Sequence, residues 1–246
     1  MPVLELPGRA IDAELIVFDK DGVLLDFRHL WIAVTRARVA ALCTLSGLPL
    51  EASLTTLLGI DASGQVAPGG LLAGGTRHES TLASATALHQ AGLPWFEARQ
   101  LAHDAYAAAD QADDWANVAR PLPGVVETIH ALHHAGWKLG IATTDQTPSA
   151  QRFLERAGLA HCFSAVVGAD QVARSKPAPD LFERACALAG VSPQRAVMVG
   201  DLDIDLLMGR AAGACANIGV LSGVGDTELL APLADAVLPD ITPLGG

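Results

Sequence analysis

Two aspartates one residue apart, Asp19 and Asp21, stand at the end of the apolar run Leu15-Ile16-Val17-Phe18 and are followed at once by Gly22. Alternate residues of a strand share a face, and a turn opening at Gly22 lets both carboxylates converge on one site. Like charges that close repel, so the pair calls for a cation or a shared proton. In such a site one carboxylate can act as a nucleophile while the other moves protons. In extended backbone the intervening Lys20 points away from both aspartates.

Three further pieces have the same form, an apolar run ending in polar groups or a charge set before a helix. Gly140-Ile141-Ala142-Thr143-Thr144 ends in two hydroxyls. Ser175-Lys176-Pro177 sets a lysine just before a proline that opens a helix. Val199-Gly200-Asp201-Leu202-Asp203-Ile204-Asp205 ends in clustered acids. Asp201 and Asp205 are one helical turn apart and can face the same way, whereas Asp203 reads as a solvated acid at a helix start. Open α/β sheets bind ligands beyond the carboxyl ends of their strands. Gathered there, the four pieces supply a nucleophile, donors for phosphoryl oxygens, a fixed cation and oxygen ligands for a hard metal such as Mg²⁺. That set suits phosphoryl transfer, in which positioning and charge neutralisation do most of the catalysis.

The elements that must position these groups are legible as short apolar runs. Residues 14–19, 138–143, 165–169, 196–201 and 216–220 read as buried strands, and helical patterns over 148–157, 179–189 and 203–212 alternate with the last four. This alternation predicts an α/β fold, a Rossmann-like parallel sheet with helices on both faces. Between the first strand and the rest lies a stretch rich in Ala, Leu, Arg and His at helical spacing, interrupted by a Gly/Pro-rich segment over 64–75. The division expected is a core of residues 1–25 and 120–246 carrying an inserted helical domain over 26–119. Trp31, Trp95 and Trp115 are expected in the core of that insertion.

With 246 residues and 50% hydrophobic content the chain can bury a large core. Its formal net charge of −11 repels phosphate backbones and argues against nucleic-acid binding. No apolar run is long enough for a membrane span, and residues 1–9 show no signal-peptide pattern, so a soluble, cytoplasmic protein is expected. Cys43, Cys162, Cys186 and Cys215 are scattered without a CxxC pair, which argues against structural zinc and against a disulfide framework. His130, His133 and His134 have i, i+3, i+4 spacing but no fourth ligand nearby in sequence, and read as a solvated helix face.

Taken together, Asp19–Val23, Thr143, Lys176 and Gly200-Asp201…Asp205 in that order resemble the haloacid dehalogenase superfamily, in its phosphoglycolate-phosphatase-like branch with a helical cap. Leu122-Pro123-Gly124-Val125 resembles that family's return from cap to core, and residues 219–223 and 234–237 its closing strands. The resemblance implies that Asp19 attacks phosphorus and that Asp21 protonates the leaving oxygen and then activates water. It implies that Thr143 and the Thr144 N–H hold the phosphoryl oxygens while Lys176 offsets their charge. Mg²⁺ would be bound by Asp19, the Asp21 carbonyl and Asp201, with Asp205 orienting metal waters or Lys176. Arg77 and His78 in the cap, and Arg28 and His29 near the first hinge, are candidates for reading the substrate's non-phosphate end.

Several positions depart from the family pattern. Asp21 rules out a dehalogenase proper, Val23 replaces the commoner threonine, and Thr144 stands where many relatives have asparagine. The function expected is a Mg²⁺-dependent phosphatase acting on a small phosphorylated metabolite through an aspartyl phosphate. The alternatives are a sugar phosphomutase using the same nucleophile, or a catalytically quiet ligand-binding protein. No lysine lies between Lys20 and Lys138 to hold a bisphosphate, which counts against the mutase.

Overall fold

The computed structural model describes residues 3–6, 9–67, 69–112 and 119–245; Trp115 and the side chain of His29 lie outside what is described. The chain forms two compact units, one built from Met1–Asp26 with Ala119–Gly246 and the other from Phe27–Val118.

The first unit opens with a hairpin that the sequence reading did not anticipate, β1 (Val3–Leu6) against β2 (Arg9–Asp12). Its strands are four residues long, too short for a period to register, and the Pro7-Gly8 dipeptide between them is the one turn signal. Leu4 and Ile11 face each other across the hairpin and are both buried.

The main sheet is parallel, with strands β3 (Leu15–Phe18), β4 (Lys138–Ala142), β5 (Phe163–Val167), β6 (Ala196–Gly200), β7 (Ala216–Val220) and β8 (Ala236–Leu238). Their spatial order is β5-β4-β3-β6-β7-β8, so the chain builds outward from β3 on one side and then crosses to the other. Right-handed crossovers need helices, supplied here by α6 (Val125–His134), α7 (Thr147–Arg156), α8 (Asp180–Ala189) and α9 (Asp203–Ala212). β3 is covered on both faces: Leu15, Ile16, Val17 and Phe18 are all fully buried. β5 begins two residues earlier than expected and ends before Gly168, whose Cα lies against the backbone of Asp145 and Thr147. This edge strand carries an exposed Ser164, whose hydroxyl donates to the Leu139 carbonyl of β4 at 3.1 Å and which breaks the apolar run that marks a buried strand.

Register sets the strand ends level. Phe18 is paired with Ile141 on one side and Val199 on the other, so Asp19, Thr143 and Asp201 follow within a residue of one another along three adjacent strands. The departing and returning chain are also paired, with Leu25 bridged to Pro121 and the Leu122 N–H donating to the Leu24 carbonyl at 3.0 Å.

The second unit is helical: α1 (Phe27–Ser46), α2 (Glu51–Leu57), α3 (Leu71–Gly74), α4 (Arg77–Gln90) and α5 (Trp95–Ala112). Thr76 caps α4 in a reciprocal box with Glu79, satisfying two orphan donors of the first turn. Its core joins Leu42, Leu54, Leu88, Ala102 and Tyr106, with Trp95 packed against it. The glycine-rich segment contains α3, preceded by an Ile60–Val66 bridge. Arg38 stacks over Tyr106 and reaches Asp110 at 2.7 Å, which accounts for its burial. No described helix is long and apolar enough to cross a membrane.

Because Ile16 is fully buried, Ile16→Ala should cost about 2–5 kcal/mol of stability. A shift in denaturant midpoint worth less than about 1 kcal/mol would contradict that enclosure.

Candidate active site

The carboxyl ends of β3 and β6 and the start of α9 bring Asp19, Asp201 and Asp205 together. One oxygen from each lies within 4.8 Å of the others, and all three residues are buried. Asp19 leaves the strand with its N–H still bonded to the Val199 carbonyl at 2.8 Å, so the backbone under its side chain is held by the sheet. Asp205 reaches back from the first turn of α9, where one oxygen accepts from the Leu202 N–H at 3.0 Å and fixes the carboxylate.

Lys176 lies among them with its ammonium 2.7 Å from Asp19 and 2.6 Å from Asp205. Burial alone would push this lysine toward its neutral form, but the two carboxylates outweigh it and raise its pKa. The anions are less well served. Burial pushes Asp19 up to about 6, with Lys176 pulling it back and Asp205 adding to the rise. Burial, Asp205 and Asp19 together raise Asp201 well above the usual carboxylate range.

Asp201 shows what the site lacks. One of its oxygens accepts from the Val224 N–H at 2.8 Å, while the other, Oδ1, is buried with no hydrogen-bond partner among the described residues. The turn after β3 crowds against it. Gly22 has a φ of +82°, and a Cβ there would lie 2.7 Å from Asp201 Oδ2, so this position needs glycine for both conformation and space. Three carboxylates against one ammonium leave a formal charge of −2 in an oxygen-lined site. The donor set fits a hard divalent cation such as Mg²⁺.

Asp21 and Lys20 are arranged differently from the extended-strand expectation. Lys20 does not point away from the aspartates: its ammonium is 3.0 Å from Asp21 and 2.8 Å from Asp145, and the residue is almost fully buried. The strand has ended at Phe18, and the N–H groups of Leu24 and Leu25 both bond to the Lys20 carbonyl, so the chain is already turning and alternation no longer applies. Burial opposes the charge on Lys20, but Asp145 and Asp21 outweigh it and raise its pKa. Burial likewise opposes the charge on Asp145, yet Lys20 and further hydrogen bonds leave its pKa lowered.

Asp145 is the site residue that sequence reasoning missed. It stands three positions beyond the end of β4, and a lysine between two strand-end aspartates is a signal that a further anion is needed. Thr143 is buried, and its hydroxyl oxygen accepts from the Asp145 N–H at 3.1 Å, which leaves the hydroxyl hydrogen to donate elsewhere. Thr144 is half-buried beside it. In the helical unit, Arg77 pairs with Asp110 at 2.7 Å and lies over Tyr106, while His78 is exposed in the first turn of α4. Asp203 accepts from the Ile204 N–H at 2.9 Å.

The family model for haloacid dehalogenase-like hydrolases matches residues 13–213, and the chain belongs to that family. Among curated relatives, Probable phosphatase IndB of Dickeya dadantii is 40% identical over 119 residues, 48% of this chain and 51% of that protein. The phosphoglycolate phosphatase of Salmonella typhi is 35% identical over 110 residues, 45% of this chain and 43% of that protein. The chain thus spans about half the length of the curated relatives it matches. In fold it is similar to a predicted phosphoglycolate phosphatase from Haemophilus somnus, with a TM-score of 0.70 and 24% identity over 94% of this chain and 96% of the other.

Two outcomes follow from the crowded carboxylates. Asp201→Asn should stabilise the Mg²⁺-free protein by about 1 kcal/mol or more, roughly 2–4 °C in Tm, and abolish the Tm rise that Mg²⁺ produces. Thermal melts with Mg²⁺ and with chelator check both, and a lower metal-free Tm would contradict the repulsion. Asp19 has a folded pKa of about 6 against an ordinary 3.8, so the folded state binds more protons across that window. Metal-free stability should therefore fall as pH rises from about 4 to about 6.

Proposed function

We propose that this chain is a Mg²⁺-dependent phosphatase that hydrolyses a small phosphorylated metabolite. The observation that carries the reading is the convergence of Asp19, Lys176, Asp201 and Asp205 at the ends of adjacent strands in a haloacid dehalogenase-like hydrolase. Relatives named as phosphatases support the same class.

In this reading an Asp19 oxygen attacks phosphorus as the ester oxygen leaves, and the phosphoryl group becomes an aspartyl phosphate. Asp21 gives its proton to the departing oxygen, then takes one from the water that hydrolyses the acyl phosphate. Lys20, 3.0 Å from Asp21, holds that side chain in place for both proton transfers. Thr143 donates its hydroxyl hydrogen to a phosphoryl oxygen, with the Thr144 N–H beside it, and Lys176 balances the charge shared by Asp19 and the phosphoryl group. Asp19, Asp201 and the Asp21 carbonyl would hold Mg²⁺, with Asp205 bracing the set. When bound, the metal supplies positive charge against the phosphoryl oxygens. The helical unit serves as the cap in this proposal, with Arg77 and His78 reading the non-phosphate end of the substrate.

Phosphate release from a panel of phosphorylated metabolites should require Mg²⁺ and stop with EDTA. Asp19→Asn should lower turnover at least about a thousandfold and leave no phosphoenzyme. Asp19→Asn turnover near the wild-type rate would overturn the nucleophile assignment. Isomerisation of a sugar phosphate without phosphate release would replace the phosphatase with the mutase.

A further inference from the structure

A second cluster of metal-ligating groups lies in the first unit, built from elements the phosphoryl chemistry does not use. His130 projects from α6, and His161 and Cys162 come from the turn that leads into β5. Their ligand atoms lie within 4.8 Å of one another. The Cys162 sulfur is 3.7 Å from His130 Nδ1 and 3.4 Å from His161 Nε2.

These separations can be compared with a bound ion. Zinc holds sulfur at about 2.3 Å and imidazole nitrogen at about 2.0–2.1 Å, and a tetrahedral angle between them sets sulfur and nitrogen about 3.6 Å apart. The two observed distances fall on either side of that value. Burial pushes the Cys162 thiol up, which keeps it neutral until a cation replaces its proton. The exposure gradient suits access from solvent, with Cys162 buried, His130 half-buried and His161 exposed. The His133 ring, 5.8 Å from that of His161 between centroids, is near enough to offer a fourth ligand after a rotamer change.

We propose that His130, His161 and Cys162 form a binding site for a borderline-soft divalent metal, zinc by the tetrahedral sulfur–nitrogen geometry, with His133 or water completing the shell. One thiolate and two imidazoles discriminate against Mg²⁺, which takes oxygen ligands, so the chain carries two sites of opposite preference. The second site stands at the amino end of β5, next to the last turns of α6, whereas the acidic site stands at the carboxyl ends of β3 and β6. A five-residue strand spans about 16 Å, so a metal here does not touch the transferred phosphoryl group. It ties α6 to the start of β5, a clamp on the core. The inference is independent of the phosphatase reading.

The test titrates the full-length protein with Zn²⁺, and separately with Co²⁺ as an optical probe, in excess Mg²⁺. The expected result is one equivalent bound, a thiolate-to-cobalt charge-transfer band, and a Zn²⁺-dependent rise in Tm. His161→Ala, at an exposed side chain, should weaken binding on the order of tenfold or more. Cys162→Ser should lose the cobalt band, and Asp201→Asn should leave zinc binding intact. Zn²⁺ affinity unchanged in His161→Ala, a cobalt band that survives Cys162→Ser, or zinc binding lost in Asp201→Asn would each overturn the proposal.

Discussion

The structure depends on holding three carboxylates out of water against one ammonium. Two unit charges 4.8 Å apart repel by roughly 3.5 kcal/mol at an effective dielectric constant of about 20. Asp19, Asp201 and Asp205 make three pairs that lie no farther apart than this. Lys176 contributes two short attractions and so reduces the repulsion without removing it. Fully burying one aliphatic side chain stabilises by about 1.5–3 kcal/mol, so several such residues must be sealed in to offset the site. The β3 run of Leu15, Ile16, Val17 and Phe18, covered on both faces, lies directly beneath it. A rigid sheet is therefore a requirement of this chemistry, since a looser support would let the carboxylates move apart into solvent.

Two local devices convert that rigidity into position. Parallel register places Asp19 and Asp201 on neighbouring strand ends, where the backbone is already committed to the ladder. Glycine then allows the turn after β3 to pass within van der Waals distance of the Asp201 carboxylate, as the left-handed backbone of Gly22 shows. Asp205 adds a hydrogen bond from the Leu202 N–H, so its orientation is set before any ligand arrives. Asp201 and Asp205 are thus aimed by backbone N–H groups, and the Lys176 ammonium holds Asp19 and Asp205 together.

What was legible in the sequence follows from the same physics. Residues 15–18, 138–142, 196–200 and 216–220 are strands buried over nearly all their length, so they read as mainly apolar runs in spite of Lys138 and Asn217, each of the first three followed within two residues by an Asp or Thr of the site. β5 was misplaced by two residues because an edge strand mixes Ser164 with apolar neighbours. The β1–β2 hairpin was missed because four-residue strands carry too little period. Lys20 was misread because strand alternation was carried past the strand's end into a turn. Asp145 was invisible for a related reason: its importance lies in the buried lysine that it neutralises, 125 residues away.

The histidines mark the limit of local reading most sharply. His130, His133 and His134 alone form a helix face with too few ligands, and Cys162 alone is a scattered thiol. The sheet brings them together because β4 and β5 are neighbours, which sets the turn before β5 beside the end of the helix before β4. A metal clamp there would act on the same adjacency that aligns Thr143 with Asp19 at the opposite end of the strands. The parallel sheet has two chemically different ends. Its carboxyl end gathers oxygen donors and negative charge, and its amino end is left for sulfur and imidazole. Placing a soft site on the far edge keeps a thiolate-seeking metal away from the carboxylates.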